Sequence, residues 1–371
     1  MILGVTEEQE ELRSSVRQFL ADRAPVARVR ELMDSADGLD VAVWKQAGEQ
    51  LGLQSLAIPE EYGGAGFSFA EQAIVLEELG AALYGGPFLA SAVLAATALL
   101  ASPDEGARKA YLPGIASGEV IAALAFTEED GSWDPASIRL AASAEGDGWR
   151  LDGHKAFVLD GHSASLLLVV ARAGSDLSLF AVDGSAAGLT RTVLPTLDQT
   201  RKLSRIDFAG VPAKLIGAVG DGAAVMDRTL DIAAIALAAE QLGGAQRALD
   251  MAVEYAKVRH QFGRPIGSFQ AIKHRCADLL LEVESLRSAV QYAAAAVAEN
   301  SDEIPVLAAL LKAYASETYF HVAAENIQIH GGIGFTWEHD AHLYFKRAKS
   351  SELFLGDGTY HRERLATRIG I

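Results

Sequence analysis

The chain has 371 residues, half of them hydrophobic and 22% charged, a globular composition long enough for two or three domains. Its net charge of −17 argues against a nucleic acid or an anionic membrane as partner, while leaving room for a small basic groove. The lone cysteine, Cys276, excludes an intrachain disulfide and fits a reducing cytoplasm; the acidic start is no signal peptide, and no apolar run reaches bilayer length.

The first 118 residues read as helical. Glu7 to Ala21 carries Leu12, Val16 and Phe19-Leu20 at helical spacing, and Ala70 to Leu83 and Ala90 to Leu100 read as buried helices beyond a glycine-rich loop, Pro59 to Ser68. Over residues 119–215 the period changes. The short runs VIAAL, WRLD, FVLD, LLLVVA, LSLFAVD and SRIDF are β-prone, and Asp-Gly pairs at Asp147, Asp152, Asp160 and Asp183 punctuate them like hairpin turns. Such strands predict an antiparallel barrel or sandwich. From residue 216 to 371 the pattern is helical again, with apolar stripes at Ala238 to Ala256 and Phe269 to Val290, and a long helix from Ile304 stopped by Gly331-Gly332. The predicted fold is therefore α+β: an N-terminal helical domain, a middle antiparallel β domain and a C-terminal four-helix bundle. Helices apolar on more than one face, such as IAAIALAAEQLGGA, predict an oligomer.

No GxGxxG follows a strand and no GxxxxGK[ST] is present, which excludes the usual dinucleotide and P-loop fingerprints. His339 and His342 beside Asp340 lack zinc spacing and read as a solvated polar loop. In SSELFLGDGTYHRERLA, Asp357 sits between two glycines, either as a catalytic base in a tight turn or as a turn aspartate capping local backbone.

Four stretches resemble one family. YAKVRHQFGRPIGSFQAIKHRCAD (Tyr255 to Asp278) is similar to the Arg-x-Gln-Phe-Gly signature of the acyl-CoA dehydrogenases, and IQIHGGIGFTWEHDAHLYFKRA (Ile327 to Ala348) to their Gln-x-x-Gly-Gly-x-Gly segment. PEEYGGAG and AFTEED match as well, so the resemblance covers essentially the whole chain in order. It implies a cytoplasmic flavoprotein, tetrameric with itself or with a homologous subunit. Each FAD would lie between the β domain of one subunit and the C-terminal helices of another. It further implies desaturation of an acyl-CoA thioester to the 2-enoyl-CoA, a carboxylate removing the α-proton, and an electron-transferring flavoprotein as electron acceptor.

The resemblance assigns Arg259, with Gln261 and Phe262 beside it, to a neighbour's FAD diphosphate, for which a guanidinium offers paired donors and fixed charge. It assigns Gln328, Gly331 and Gly332 to the adenosine side, and Thr127 and Thr359 to further cofactor contacts. Other positions depart from the pattern. Where the family reads Thr-Glu-Pro-Gly-x-Gly-Ser-Asp, this chain reads TEEDGSWD, with Trp133 for the serine. Where it reads Trp-Ile-Thr, this chain has Phe157-Val158-Leu159 and no hydroxyl. A usual helix arginine is Ala234, the alternative base position is Ala233 with Glu240 two turns further on, and the Glu-Gly-Thr base is Asp357. Aspartate draws the carboxylate back by ~1.5 Å, and a misplacement of about 1 Å costs roughly a hundredfold in rate.

Three functions follow as expectations. One is a self-sufficient dehydrogenase with Asp357 as base. The second is the degenerate partner in an α2β2 acyl-CoA dehydrogenase, resembling the two-gene enzymes of actinobacterial sterol and bulky acyl-CoA degradation. The third is a flavin-free acyl-CoA-binding or structural protein. The losses fall on residues that would serve the chain's own FAD, and the kept residues serve a neighbour's, which favours the second.

Overall fold

Thr6 opens the first helix with a reciprocal cap: its hydroxyl accepts from the Gln9 amide, and the Gln9 side chain accepts from the Thr6 amide. The structure, a computed structural model, describes residues 5–371, so the very start of the chain, Met1 to Gly4, lies outside the described residues. In chain order come α1 (Glu7–Arg23), α2 (Val26–Met33), α3 (Val41–Leu51) and α4 (Phe69–Ala81). A π-helical stretch, Leu89–Ala95, then runs into α5 (Ala96–Ala101), followed by α6 (Glu105–Ala116). Seven strands follow: β1 (Ala122–Ala125), β2 (Ala141–Glu145), β3 (Gly148–Leu159), β4 (Leu166–Ala173), β5 (Asp176–Asp183), β6 (Leu189–Val193) and β7 (Leu203–Ile216). The chain closes with α7 (Gly222–Val258), a short hairpin of β8 (His260–Gln261) and β9 (Arg264–Pro265), α8 (Gln270–Ala298), α9 (Ile304–His330), α10 (Ala341–Leu353) and α11 (Gly358–Ile369).

These elements gather into two units, one of residues 30–68 and 85–233, the other of the described residues up to 29 with 69–84 and 234–371. In the first, the sheet closes on itself through the pairings β4-β2-β3-β7-β5-β4, with β1 added to β4 and β6 to β7. Its interior is apolar, built from Leu140, Leu151, Val158, Val169, Phe180, Ile206 and Val211. The sheet is mixed rather than antiparallel: β4 pairs in parallel with β1 and, further along, with β2. The reason is connectivity. About forty residues, including the β2–β3 hairpin, separate β1 from its partner, and so long a connection returns the chain in the same direction. Asp152-Gly153 is likewise no turn. It lies inside β3 at a register shift, where Gly153 takes φ +131°. β2 and β6, both largely exposed, lack the apolar runs that mark the other strands.

In the second unit, α1 packs on α4, α4 on α8, and α9 receives α8, α10 and α11. The stripe predicted from Phe269 to Val290 is buried at Leu279, Val283, Leu286 and Val290, whereas Phe269, Ile272 and Cys276 at its start are only partly buried. α4 and α7 meet at backbone distance: a Cβ on Gly80 would stand 1.9 Å from the Glu240 carbonyl oxygen, and one on Gly243 would stand 1.7 Å from that of Glu77. Around this crossing Arg13 pairs with Glu77 and Glu78, Arg17 with Glu78, and Arg287 with Glu77, tying α1 and α8 to α4.

Candidate functional site

The family motif around Arg259 folds as a two-residue hairpin. Gln261 pairs with Arg264, and the loop residues Phe262 and Gly263 take φ +52° and +77°. Positive φ at both loop positions is the type I′ geometry, and a phenylalanine there is strained. Its ring is 91% exposed and touches the chain only edge-on at Phe269, 6.0 Å between centroids. Arg259 and Gln261 are exposed, and among the described residues their side chains engage no partner. Backbone strain of this kind clusters at functional sites.

The Gln-Gly-Gly segment reaches the same end of the helical unit. Ala252 and Ala256 of α7 pack with Ile329 of α9, and the Tyr255 ring stacks on His330 at 4.3 Å. Arg259 therefore follows Tyr255 by one turn, while Gly331 and Gly332 follow His330 directly. Gly331 caps α9 with φ +64°, and a Cβ on either glycine would meet nothing within 4 Å. Gln328 is exposed there as well. The structure thus brings together Arg259, Gln261, Phe262, Gln328, Gly331 and Gly332: a free guanidinium, two free amides, an uncovered ring and open backbone. That donor set fits a diphosphate carrying a planar base.

The corresponding loop of the β unit is built differently. Thr127 is buried, and its hydroxyl donates to the Ala156 carbonyl oxygen at 2.5 Å. The Trp133 ring packs on Phe126 at 5.9 Å, and Leu159 is buried and apolar. Phe157, at φ +57°, sits in the bulge between Lys155 and Val158. The loop is fixed by Glu128, whose carboxylate accepts from Lys155 Nζ at 2.8 Å and from the amides of Arg139 and Leu140. Burial pushes the Glu128 carboxyl up, but these donors outweigh it and hold it below its ordinary value. Burial brings the fully enclosed Lys155 ammonium down to about 8 against the pull of Glu128. With the Thr127 hydroxyl given to backbone and Leu159 apolar, neither position offers a flavin ring a side-chain donor, and Trp133 replaces a small hydroxyl with a large indole, so the fit to a flavin is poor here.

Asp357 is the N-cap of α11. Its carboxylate is exposed and accepts from the Tyr360 amide at 2.8 Å. Thr359 is exposed in the first turn of the same helix. Neither joins the Arg259 group. The turn before Asp357 is held through Gly356 to Lys312, sixteen residues before Gln328 on the same helix, roughly 24 Å at 1.5 Å per residue. Glu240, the other carboxylate near a base position, is buried and bridged to Arg347 at 3.0 Å. His339 lies half-buried in the bend before α10, whereas His342 is not in a solvated loop: it is 8% exposed in the first turn of that helix, with its ring edge-on to Trp337 at 5.1 Å. Apolar neighbours in the fold, not local polarity, decide its burial. Among the described residues no His/Cys/Asp/Glu group has metal-holding geometry.

Sequence reading missed the buried polar residues. Lys312 is wholly enclosed, and its Nζ donates to Ser316 Oγ (2.9 Å) and to the carbonyl oxygens of Glu352 (3.1 Å) and Gly356 (2.9 Å). His361 Nε2 lies 2.8 Å from the Leu355 carbonyl oxygen. The available signal was a lysine inside the apolar run LAALLKAYA.

Comparison with known proteins matches this arrangement along its length. Sequence profiles of the acyl-CoA dehydrogenase N-terminal, middle and C-terminal domains match residues 6–119, 123–209 and 220–370. The acyl-CoA dehydrogenase IpdE2 of Mycolicibacterium smegmatis is 38% identical over 365 residues, covering 98% of this chain and all of its own. A chain of the ChsE4-ChsE5 complex from Mycobacterium tuberculosis superposes with a TM-score of 0.90 at 31% identity, covering 100% of this chain and 99% of that one. A chain of the Tcur3481-Tcur3483 steroid ACAD, in a single-substitution variant, gives 0.89 at 33% identity, covering 99% of each. No helix among the described residues is long and apolar enough to cross a membrane. With three profiles in order and relatives aligned end to end, the chain belongs to the acyl-CoA dehydrogenase family, oxidoreductases acting on CH–CH bonds.

Proposed function

We propose that this chain is the partner subunit of an α2β2 acyl-CoA dehydrogenase, lending cofactor contacts to a homologous subunit that carries the base. The assembly would desaturate an acyl-CoA thioester between Cα and Cβ. The observation that carries this reading is an asymmetry. The Arg259 group is exposed, unengaged and strained, whereas Thr127 gives its hydroxyl to the Ala156 carbonyl, Leu159 carries no donor, and the serine position is taken by Trp133, whose ring packs on Phe126. Two of the relatives above are chains of two-component assemblies by name, and one of those is named for steroids, which supports the reading and favours a bulky acyl group.

The family is in general FAD-dependent, and the flavin, when bound, supplies the acceptor for the β-hydride. The residues of this chain bind and orient. Arg259 would meet the diphosphate with two parallel donors. Gln261 and Gln328 would add neutral donors, Phe262 would cover a planar face, and Gly331 and Gly332 would let backbone approach. Asp357 serves as a helix cap here, and Thr359 stands beside it as a further candidate contact. A desolvated base is needed to take a weakly acidic α-proton, and an exposed capping carboxylate is not one.

The same reading places the complex in the cytoplasm, with an electron-transferring flavoprotein as acceptor. It divides the chain into a helical domain (1–118), a β domain (119–215) and a C-terminal four-helix bundle (216–371). The test is the visible spectrum of the chain purified alone and with a homologous subunit, with FAD counted per chain after denaturation. Flavin that appears only in the mixture is the expected result. A full complement on the lone chain, bleached by an acyl-CoA, would establish a self-sufficient enzyme instead.

A further inference from the structure

The turn between α10 and α11 has a shape its own sequence does not explain. Leu355, a buried leucine, takes φ +64°, and Gly356 follows at +98°. Leucine disfavours the left-handed region, so an outside constraint holds it there. The carbonyl oxygens of Glu352, Leu355 and Gly356 all meet side chains that are almost wholly enclosed. Lys312 Nζ takes the first and third, and His361 Nε2 takes the second. Lys312 has three N–H donors and three acceptors, the third being Ser316 Oγ, which also receives Gln241 Nε2 of α7 at 3.3 Å. Among the described residues no carboxylate lies within ion-pairing distance of Lys312; Glu352 and Asp357 act on it through space only, and His361 is the nearby titratable base.

We propose that Lys312 is a positioning residue, an amine from α9 that gathers the α10–α11 turn and thereby fixes where Asp357 and Gly358 stand. The reasons are geometric. Three inward carbonyls at the end of one helix need donors that water cannot supply at full burial. Lys312 serves two of them from a single point at the end of a flexible stem and His361 serves the third, and methionine of similar length in place of Lys312 would leave two carbonyls bare. The tether also runs on through Ser316 to Gln241, so the turn is referred to two long helices rather than to its own flanks. The inference holds whichever chain of the complex supplies the base.

The test is hydrogen exchange of the full chain, with its partner where the two purify together, comparing the protein with Lys312→Met. Exchange across residues 354–361 should rise at least about tenfold, while the centre of α8 stays unchanged. Burial brings the Lys312 ammonium down to about 7, so urea stability should also climb with pH above 7 in the unmodified protein, and Lys312→Met should flatten that climb. The pH profile reports the burial of the amine, and the exchange over 354–361 reports the tether. Unchanged exchange over 354–361 would overturn the proposal. Where Lys312→Met yields no folded protein, acetylation of the unmodified chain decides the matter. Lys312 should react at least about a hundredfold more slowly than the exposed Lys45 and catch up only in denaturing urea. Equal rates in the folded protein would mean an open turn and no tether.

Discussion

Glu240 of α7 and Arg347 of α10 form an ion pair at 3.0 Å with side-chain exposures of 8% and 2%. The pair ties α7 to α10 inside the helical unit. Losing one partner takes a buried ion pair away from the other, which costs about 3–5 kcal/mol. Glu240→Gln and Arg347→Met should therefore each lower urea stability by that order. The double variant Glu240→Leu, Arg347→Met should recover part of the loss, because no lone charge remains. Additive losses would mean the two side chains are not coupled.

Asp357 separates chemistry from capping. Asp357→Ala should cost about 1 kcal/mol, the usual worth of a helix N-cap, and Asp357→Asn should cost much less because asparagine also caps. Turnover of the two-chain complex should survive both. Loss of turnover in Asp357→Asn with stability intact would restore the carboxylate to the mechanism.

Phe262 makes the opposite prediction. Asparagine tolerates positive φ better, so Phe262→Asn should leave the chain as stable or gain up to about 1 kcal/mol. The flavin retained by the complex should nevertheless fall. Arg259→Ala should do the same, with no change in melting temperature for so exposed a side chain. Full flavin retention in both variants would break the assignment of this hairpin to the cofactor.

Gly80→Ala probes the α4–α7 crossing. The new methyl would meet the Glu240 carbonyl oxygen, an atom no rotamer can withdraw, so the helices must separate. A loss of roughly 3 kcal/mol is expected from overpacking of this kind, read as a lower urea midpoint. Gly174→Ala, in a turn where a Cβ meets nothing, is the control for space, leaving only the cost of its left-handed φ.

Protonation should make the fold weaken steadily as pH falls. His361 is held down to about 4 by burial, against its bond to the Leu355 carbonyl. Lys312 and Lys155 stand near 7 and 8, again through burial. Each base gives up its proton in the fold at lower pH than in the unfolded chain. The unfolded state then binds more protons between the two values, and stability rises with pH across that window. The windows run from about 4 to 6.5 for His361 and from about 7 or 8 to 10.5 for the lysines. Glu128, held below its ordinary value, adds stability that is lost as pH drops through the carboxylate range. Urea midpoints measured from pH 4 to 10 check the slope, and Lys155→Met should flatten its upper part.

Much of this was legible in the sequence because periodic patterns report burial directly. The stripe of α7, the later half of that of α8 and the runs of β4 and β5 are buried as their spacing says. The parallel pairings of β1 and β2 were not legible, because strand direction depends on a connection whose path no local run encodes. The Asp152-Gly153 pair reads as a turn, yet an Asp-Gly in a long strand can serve equally as a bulge. The Arg259 and Gly331 motifs were readable as motifs, but their meeting rests on the Tyr255–His330 stack between distant helices. Lys312 and the Glu240–Arg347 pair were invisible for the same reason: a charge in an apolar stripe names its partner only in three dimensions.

The uncovered Phe262 ring has a consequence for the living cell. A strained, fully displayed aromatic, on a chain that also shows Phe335 and Trp337 at 79% and 69% exposure, is the kind of surface that chaperones and proteases recognise. A copy made in excess of its assembly partner would be cleared or would aggregate. In the proposed complex, synthesis of the two chains would then have to be matched in amount, so the hairpin assigned to a cofactor site would also set the ratio in which its gene can usefully be expressed.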